Sequence, residues 1–148
     1  MANIQKLLSK GISYWQKNDL IQAKNIFKKI ILDKPNNFEA KSYIGVIDLQ
    51  LGNFEEGIKL LKSALLLSPN DDNLKKNLNN GLIDYSGALI SEEKYKQAFK
   101  SLKEAILIYP DNPNAYLNYF KLSINTREFI GLDKIYELAK NNHPLIPE

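Results

Sequence analysis

Between Phe38 and Asp71, apolar residues recur at intervals of three and four. Ala40, Ile44, Ile47 and Leu51 form one stripe, and Phe54, Ile58, Leu61, Ala64 and Leu65 form a second. Such spacing puts each set on one helix face, so two amphipathic helices are predicted. They join at Gly52-Asn53 and close at Ser68-Pro69-Asn70-Asp71, both turn-forming combinations. Neither helix can bury its stripe alone, so the pair needs neighbours. The chain supplies them as weaker copies of the same pattern. Pro35, Pro69, Pro110 and Pro144 each follow an apolar helical stretch, at spacings of 34, 41 and 34 residues. A period of 34 with two helices per period marks a helical repeat array. The expectation is an all-α solenoid of about eight helices, one domain over 1–148, with repeats at about 4–37, 38–71, 72–112 and 113–146.

The third repeat is seven residues longer than the others. Seven residues are close to two helical turns and drift only ~20° from register. The stripe Leu74, Leu78, Leu82, Tyr85, Leu89 therefore keeps its face. One helix from Asp71 to about Ile90 follows, ~30 Å long at the usual rise per residue, with Asp71 or Asp72 as its cap. A competing reading breaks the segment at Asn79-Asn80-Gly81; the preserved phase favours continuity. Pro113 opens the fourth repeat at a first-turn position, where a missing N–H costs nothing.

Phe38–Asp71 resembles a tetratricopeptide repeat, a 34-residue helix-turn-helix unit. Ile44-Gly45, Gly52, Phe54, Ala64 and Pro69 occupy that family's places. Lys41, Asp48 and Gly57 depart from it, Asp48 standing at an aromatic position and Gly57 where the second helix has its first Ala. The first repeat matches at Leu7, Gly11, Tyr14, Ala23, Phe27 and Pro35, with Asn18-Asp19 in place of the glycine turn. The third keeps Tyr95, Ala98, Leu102, Ala105 and Pro110. The fourth carries Tyr116, Tyr119, Phe129, Tyr136, Ala139 and Pro144, with Phe120 in place of the close-packing glycine.

The resemblance implies a right-handed superhelix of antiparallel helix pairs, the first helix of each pair lining the concave side. It gives Gly11, Gly45, Ala23, Ala64, Ala98 and Ala105 the role of letting backbones approach closely. Projected onto the concave side, the register yields Leu8, Ile12, Trp15, Tyr43, Val46, Gln50, Asp84, Asn118 and Lys121 as candidate partner-binding residues. An apolar floor edged by amides suits an extended peptide or a partner helix. Leu8 and Ile12 have a second reading, as packing between neighbouring first helices. Trp15 and Tyr43 combine a large apolar body with a polar handle. Two binding modes of the family lack their residues here. The carboxylate clamp of chaperone-binding members would need Lys and Asn where Leu8, Ile12, Tyr43 and Asp84 stand. The asparagine ladder of glycosyltransferase-linked members is matched only at Asn118.

Composition narrows the chemistry. The net charge is +3, from 20 basic and 17 acidic side chains, and Arg127 is the one arginine. So small a charge, carried by lysine, points to no nucleic-acid partner. Lysines on the second helices (Lys24, Lys28, Lys29, Lys59, Lys62, Lys96, Lys100, Lys103) follow helical spacing. With Glu55, Glu56, Glu93 and Glu104 among them, they read as a solvated face, the alternative being a surface for an acidic partner or a membrane. No apolar run approaches the ~20 residues of a membrane span, and the first residues lack the apolar core of a signal peptide. A cytoplasmic protein without a membrane partner is expected.

The chain has no cysteine and one histidine, His143, in the terminal loop. A zinc site of the usual ligands and a Cys-His dyad are thereby excluded, so no metal or cofactor is expected. His143 reads as solvated. Phosphate-cradling glycine loops and a nucleophile elbow are absent. Asp71-Asp72 and Glu92-Glu93 read as carboxylates at helix starts, favoured there by the helix dipole. The expectation is a non-catalytic protein–protein interaction module. The alternative is the N-terminal recognition domain of a larger bacterial enzyme, such as a glycosyltransferase or sulfotransferase. Leu145-Ile146-Pro147-Glu148 lacks the polar helix that seals such arrays, which keeps that alternative open; a second copy covering the uncapped terminal repeat, a homodimer, is the other option.

Overall fold

The computed structural model describes residues 3–143; Pro144 and Leu145–Glu148, on which the repeat end at 146 and the uncapped terminus rest, lie outside them. Among the described residues there are eight helices and no strand. They are α1 (Ile4–Gln16), α2 (Leu20–Asp33), α3 (Phe38–Gln50), α4 (Phe54–Leu67), α5 (Asp72–Ser91), α6 (Tyr95–Ile108), α7 (Pro113–Thr126) and α8 (Leu132–Asn142). The chain divides into two compact units, Met1–Asn77 and Leu78–Glu148. The division falls inside α5, a single 20-residue helix. Asn79-Asn80-Gly81 does not break it.

Every turn from an even-numbered helix to the next follows one plan. Lys34, Ser68 and Tyr109 each precede a proline, which pushes them out of helical geometry, with φ of −132°, −138° and −142°. Asn37 N–H then donates to Lys34 O at 3.0 Å, Asp71 to Ser68 O at 3.2 Å and Asn112 to Tyr109 O at 3.4 Å. These are β-turns with proline at the second position, where its fixed φ fits. The last residue of each turn caps the next helix. Asn37 Oδ1 accepts from Ala40 N–H at 2.7 Å, Asp71 Oδ1 from Leu74 N–H at 3.1 Å and Asn112 Oδ1 from Asn114 N–H at 3.0 Å.

The turns within pairs share a different plan. Asn18, Gly52, Glu93 and Arg127 all adopt left-handed backbone, with φ of 60°, 78°, 59° and 57°. The residue after each donates back to the helix. Asp19 N–H reaches Tyr14 O at 2.9 Å, Asn53 reaches Asp48 O at 2.8 Å, Lys94 reaches Leu89 O at 2.8 Å and Glu128 reaches Ser123 O at 3.1 Å. That is the Schellman stop, which ordinarily selects glycine. Glu92 and Glu93 thus sit at the end of α5, not at a helix start, and Glu92 pairs with Lys94 at 2.6 Å. A dipole-favoured site does not explain them.

Within the first unit the helices of a pair run antiparallel. Lys41 donates to Ser63 Oγ at 2.9 Å, while Gly45 lies against Leu61 and Gly57. The core joins Leu8, Ala23, Phe27, Ile30, Ala40, Ile44 and Ile47. A Cβ on Gly11 would come within 2.7 Å of the Phe27 ring. A Cβ on Gly57 would stand 2.8 Å from Gly45 O and 3.0 Å from Leu49. The missing alanine at Gly57 is therefore a requirement of contact with Gly45. Gly57→Ala, which in an exposed helix gains ~1 kcal/mol, should here lower stability by ~1–3 kcal/mol because backbone must move. Urea unfolding measures the sign.

The second unit buries Leu78, Leu82, Leu89, Ala98, Leu102, Ala105, Tyr116 and Ile135. Ser101 Oγ donates to Leu82 O at 2.8 Å, tying α6 to α5. Asn79 is completely buried. Its Nδ2 donates to Ala105 O at 2.8 Å and Tyr109 O at 3.4 Å, and its Oδ1 accepts from Asn112 Nδ2 at 2.6 Å. One side chain of α5 thereby serves the end of α6 and the turn into α7. Ala98 and Ala105 are completely buried too, as are Ala23 and Ala64 in the first unit. Phe120, in the place of a small residue, helps line an open cleft of about 490 Å³ with Ile124, Leu132, Asp133 and Tyr136.

Candidate partner-binding face

Six of the sequence-derived candidates stand on α1 and α3 of the first unit. Leu8, Ile12 and Trp15 are four and three residues apart, and Tyr43, Val46 and Gln50 three and four, so each trio shares one helix face. The structure joins the two trios at their aromatic members. Trp15 Nε1 donates to Gln50 Oε1 at 2.9 Å. The Trp15 and Tyr43 rings meet edge to face with centroids 5.6 Å apart. Tyr43 in turn stacks on Phe27 at 4.6 Å and 4°. Burial raises the Tyr43 phenol above its ordinary pKa, and Glu39 adds to that.

The indole N–H, expected to serve a partner, is already taken by Gln50. What Trp15 offers is ring surface. Leu8 is buried in the core and packs inward. Ile12, Trp15 and Tyr43 rest on the core but remain partly exposed, as does Val46, and Gln50 is exposed. The arrangement is an aromatic platform whose rotamers are held by stacking and one amide hydrogen bond. Such a platform binds apolar groups with little loss of its own side-chain freedom.

In the second unit, Asp84 is exposed on α5, with its carboxyl raised above the usual carboxylate range by desolvation. Asn118 and Lys121 lie three residues apart on one face of α7, the first half-buried and the second exposed. Tyr119 is buried between them and packs edge to face on Phe99 at 5.1 Å. Its phenol is raised by burial, with a further contribution from Glu128.

Two features escaped sequence reasoning. Lys24 does not belong to a solvated lysine face: it pairs with Asp48, which is 1% exposed. Asn53 Nδ2 donates to the same Asp48 oxygen at 3.2 Å, while Asp48 Oδ2 meets no donor among the described residues. The available signal was a carboxylate beside Ile47 on an apolar stripe. His143 is likewise not a solvated loop residue. It ends α8, its Nε2 lies 3.1 Å from Pro110 O, and its ring packs edge to face on Tyr116 at 5.5 Å. Burial raises the Tyr116 phenol, opposed by its hydrogen bond from Asn142 and assisted by Asp111. Among the described residues no three His, Cys, Asp or Glu are grouped to hold a metal ion, and no helix is long and apolar enough to cross a membrane.

Helix pairs closed by the same two turns, at a spacing of 34 or 41 residues, define a helical repeat protein of the α-solenoid class. Residues 14–78 match the family model described as tetratricopeptide repeat, and that stretch accordingly carries tetratricopeptide repeats. Solved structures share the fold. A MamA chain from Desulfovibrio magneticus is 14% identical with a TM-score of 0.65, over 99% of this chain and 78% of that one. Another MamA structure is 19% identical with a TM-score of 0.64, over 95% and 73%. A mutant O-GlcNAc transferase from Thermobaculum terrenum is 24% identical with a TM-score of 0.60; the match covers 82% of this chain and 22% of the transferase. No curated protein matches the sequence.

Proposed function

We propose that this protein is a non-catalytic interaction module, composed of repeats at about 4–37, 38–71, 72–112 and 113–146, that binds a peptide or partner helix on its first-helix face. The observation that carries the reading is the Trp15–Tyr43–Gln50 platform. It is aromatic, partly exposed and held by its own contacts, as a hot spot for a partner's apolar anchor should be. Ile12 and Val46 extend it, and Leu8 supports it from beneath. Within the second unit, taken by itself, Asp84, Asn118 and Lys121 are the proposed polar contacts. The cytoplasm is the compartment assigned to this reading. Partners are proteins, including a second copy through the last pair, where Ile124, Phe129 and Ile130 stand exposed.

Trp15 is the chain's single tryptophan, so its emission reports occupancy directly. Peptides selected on the immobilised protein from a random library should shift that emission on titration. Tyr43→Ala should weaken them at least ~10-fold, a hot-spot-sized loss, while helical circular dichroism persists. Selected peptides that leave the emission unchanged and tolerate Tyr43→Ala would place binding elsewhere. A second reading, recognition domain of a larger enzyme, draws on the fold shared with the transferase. An immunoblotted endogenous mass well above 16.9 kDa would favour it.

A further inference from the structure

The second helix of each of the first three pairs repeats an exposed pair of residues in register. Leu32, Leu66 and Leu107 fall 34 and 41 residues apart, the spacing of the repeats, and are 84%, 84% and 64% exposed. Four residues before each, on the same helix face, stand exposed Lys28, Lys62 and Lys103. Solitary exposed leucines are ordinary on protein surfaces; one kept at the same position of three successive helices, always behind the same lysine, is a pattern. It stops at α8, where the equivalent places hold Glu137 and Asn141.

We propose that in the first unit the face carrying Leu32 and Leu66 docks on an anionic lipid surface, these leucines entering the acyl boundary and Lys28 and Lys62 meeting lipid phosphates. Three observations select that occupant. Each leucine lies in the last turn of its helix and stands largely exposed there. A largely exposed leucine needs a cavity in its partner, and a fluid lipid layer provides one at any spacing. The lysine lies one turn back, ~6 Å along the axis at 1.5 Å per residue, which matches the step from acyl boundary to headgroup. In the first unit α2 and α4 both run antiparallel to α3, so their leucines point to the same end. Charge agrees. The first pair, residues 1–37, holds seven lysines against only Asp19 and Asp33, more positive than the chain's +3. This goes beyond the solvated lysine face read from the sequence, and it is independent of the aromatic platform.

The test is co-sedimentation of the full chain with phosphatidylcholine vesicles, with and without 30 mol% phosphatidylserine. The expected result is binding to the anionic vesicles only. Leu32→Ser with Leu66→Ser should reduce it about tenfold or more, and Lys28→Glu with Lys62→Glu by at least fivefold per lysine. Both variants change exposed side chains, and unchanged thermal melting confirms that they fold. Two results overturn the proposal: no anionic-vesicle binding, or binding untouched by the leucine changes. Retention on immobilised polyglutamate without vesicle binding would assign the face to an acidic protein instead, which also overturns it.

Discussion

Replacing Asn79 by Leu should lower stability by ~3 kcal/mol, although leucine is the better helix former and the residue sits mid-helix. The amide is completely buried and makes three hydrogen bonds in the second unit, to Ala105 O, Tyr109 O and Asn112 Nδ2. Ala105 O also accepts from Tyr109 N–H at 3.1 Å, so it keeps one partner. Tyr109 O keeps the Asn112 N–H at 3.4 Å and Asn112 Nδ2 keeps Asn80 Oδ1 at 3.3 Å, so the loss is of three hydrogen bonds at ~1 kcal/mol each. Asn79→Asp should be as damaging, since it converts the donor facing two carbonyls into an acceptor. Urea titration followed by circular dichroism measures both variants. Wild-type stability in either would mean that the α6–α7 turn is held by packing alone.

Lys24→Ala should cost ~3–5 kcal/mol, the penalty for stripping the partner from a buried charge. Asp48 is 2% exposed in its side chain and Lys24 20%, so solvent does little to screen the pair. With Lys24 gone, Asn53 is the remaining side-chain donor to Asp48 Oδ1 among the described residues, where Oδ2 already has none. The double variant Lys24→Met with Asp48→Leu should recover most of the loss and end near wild type, because apolar replacements avoid desolvating two charges. The cycle of single and double variants isolates the coupling. A double variant as unstable as Lys24→Ala would show that the pair contributes more than it costs to bury.

These two sites mark where sequence reasoning stopped. Periodicity reports which face of its own helix a residue occupies. It therefore placed Ala40, Ile44, Leu61, Ala64, Leu78 and Leu82 correctly in helices and in the core. Local chemistry was equally legible: Pro35, Pro69 and Pro110 end helices by excluding helical geometry from the preceding residue, whatever the rest of the chain does. Even the length of α5 could be read from the phase of Leu74 through Leu89. A contact between distant side chains has no such signature. Lys24 looks like Lys28 until Asp48 arrives from 24 residues away, and Asn79 looks like a helix breaker until the carbonyls of Ala105 and Tyr109 face it. The partner-binding face lies between these cases. Its helix faces were readable, but Leu8's inward turn and Gln50's capture of the Trp15 N–H depend on how α1 and α3 meet.

The two recurring turns also limit how this chain can change length. Each first helix is fastened at both ends, by an Asx cap at its start and a left-handed stop at its finish. Both fastenings have a fixed rotational setting about the axis. Adding one residue to such a helix would turn one end by ~100° relative to the other and misalign either the cap or the stop. Adding seven restores both settings to within ~20°. The difference between the 13 residues of α1 and the 20 of α5 is that increment. Growth in this architecture is quantised, and two helical turns is the step it accepts.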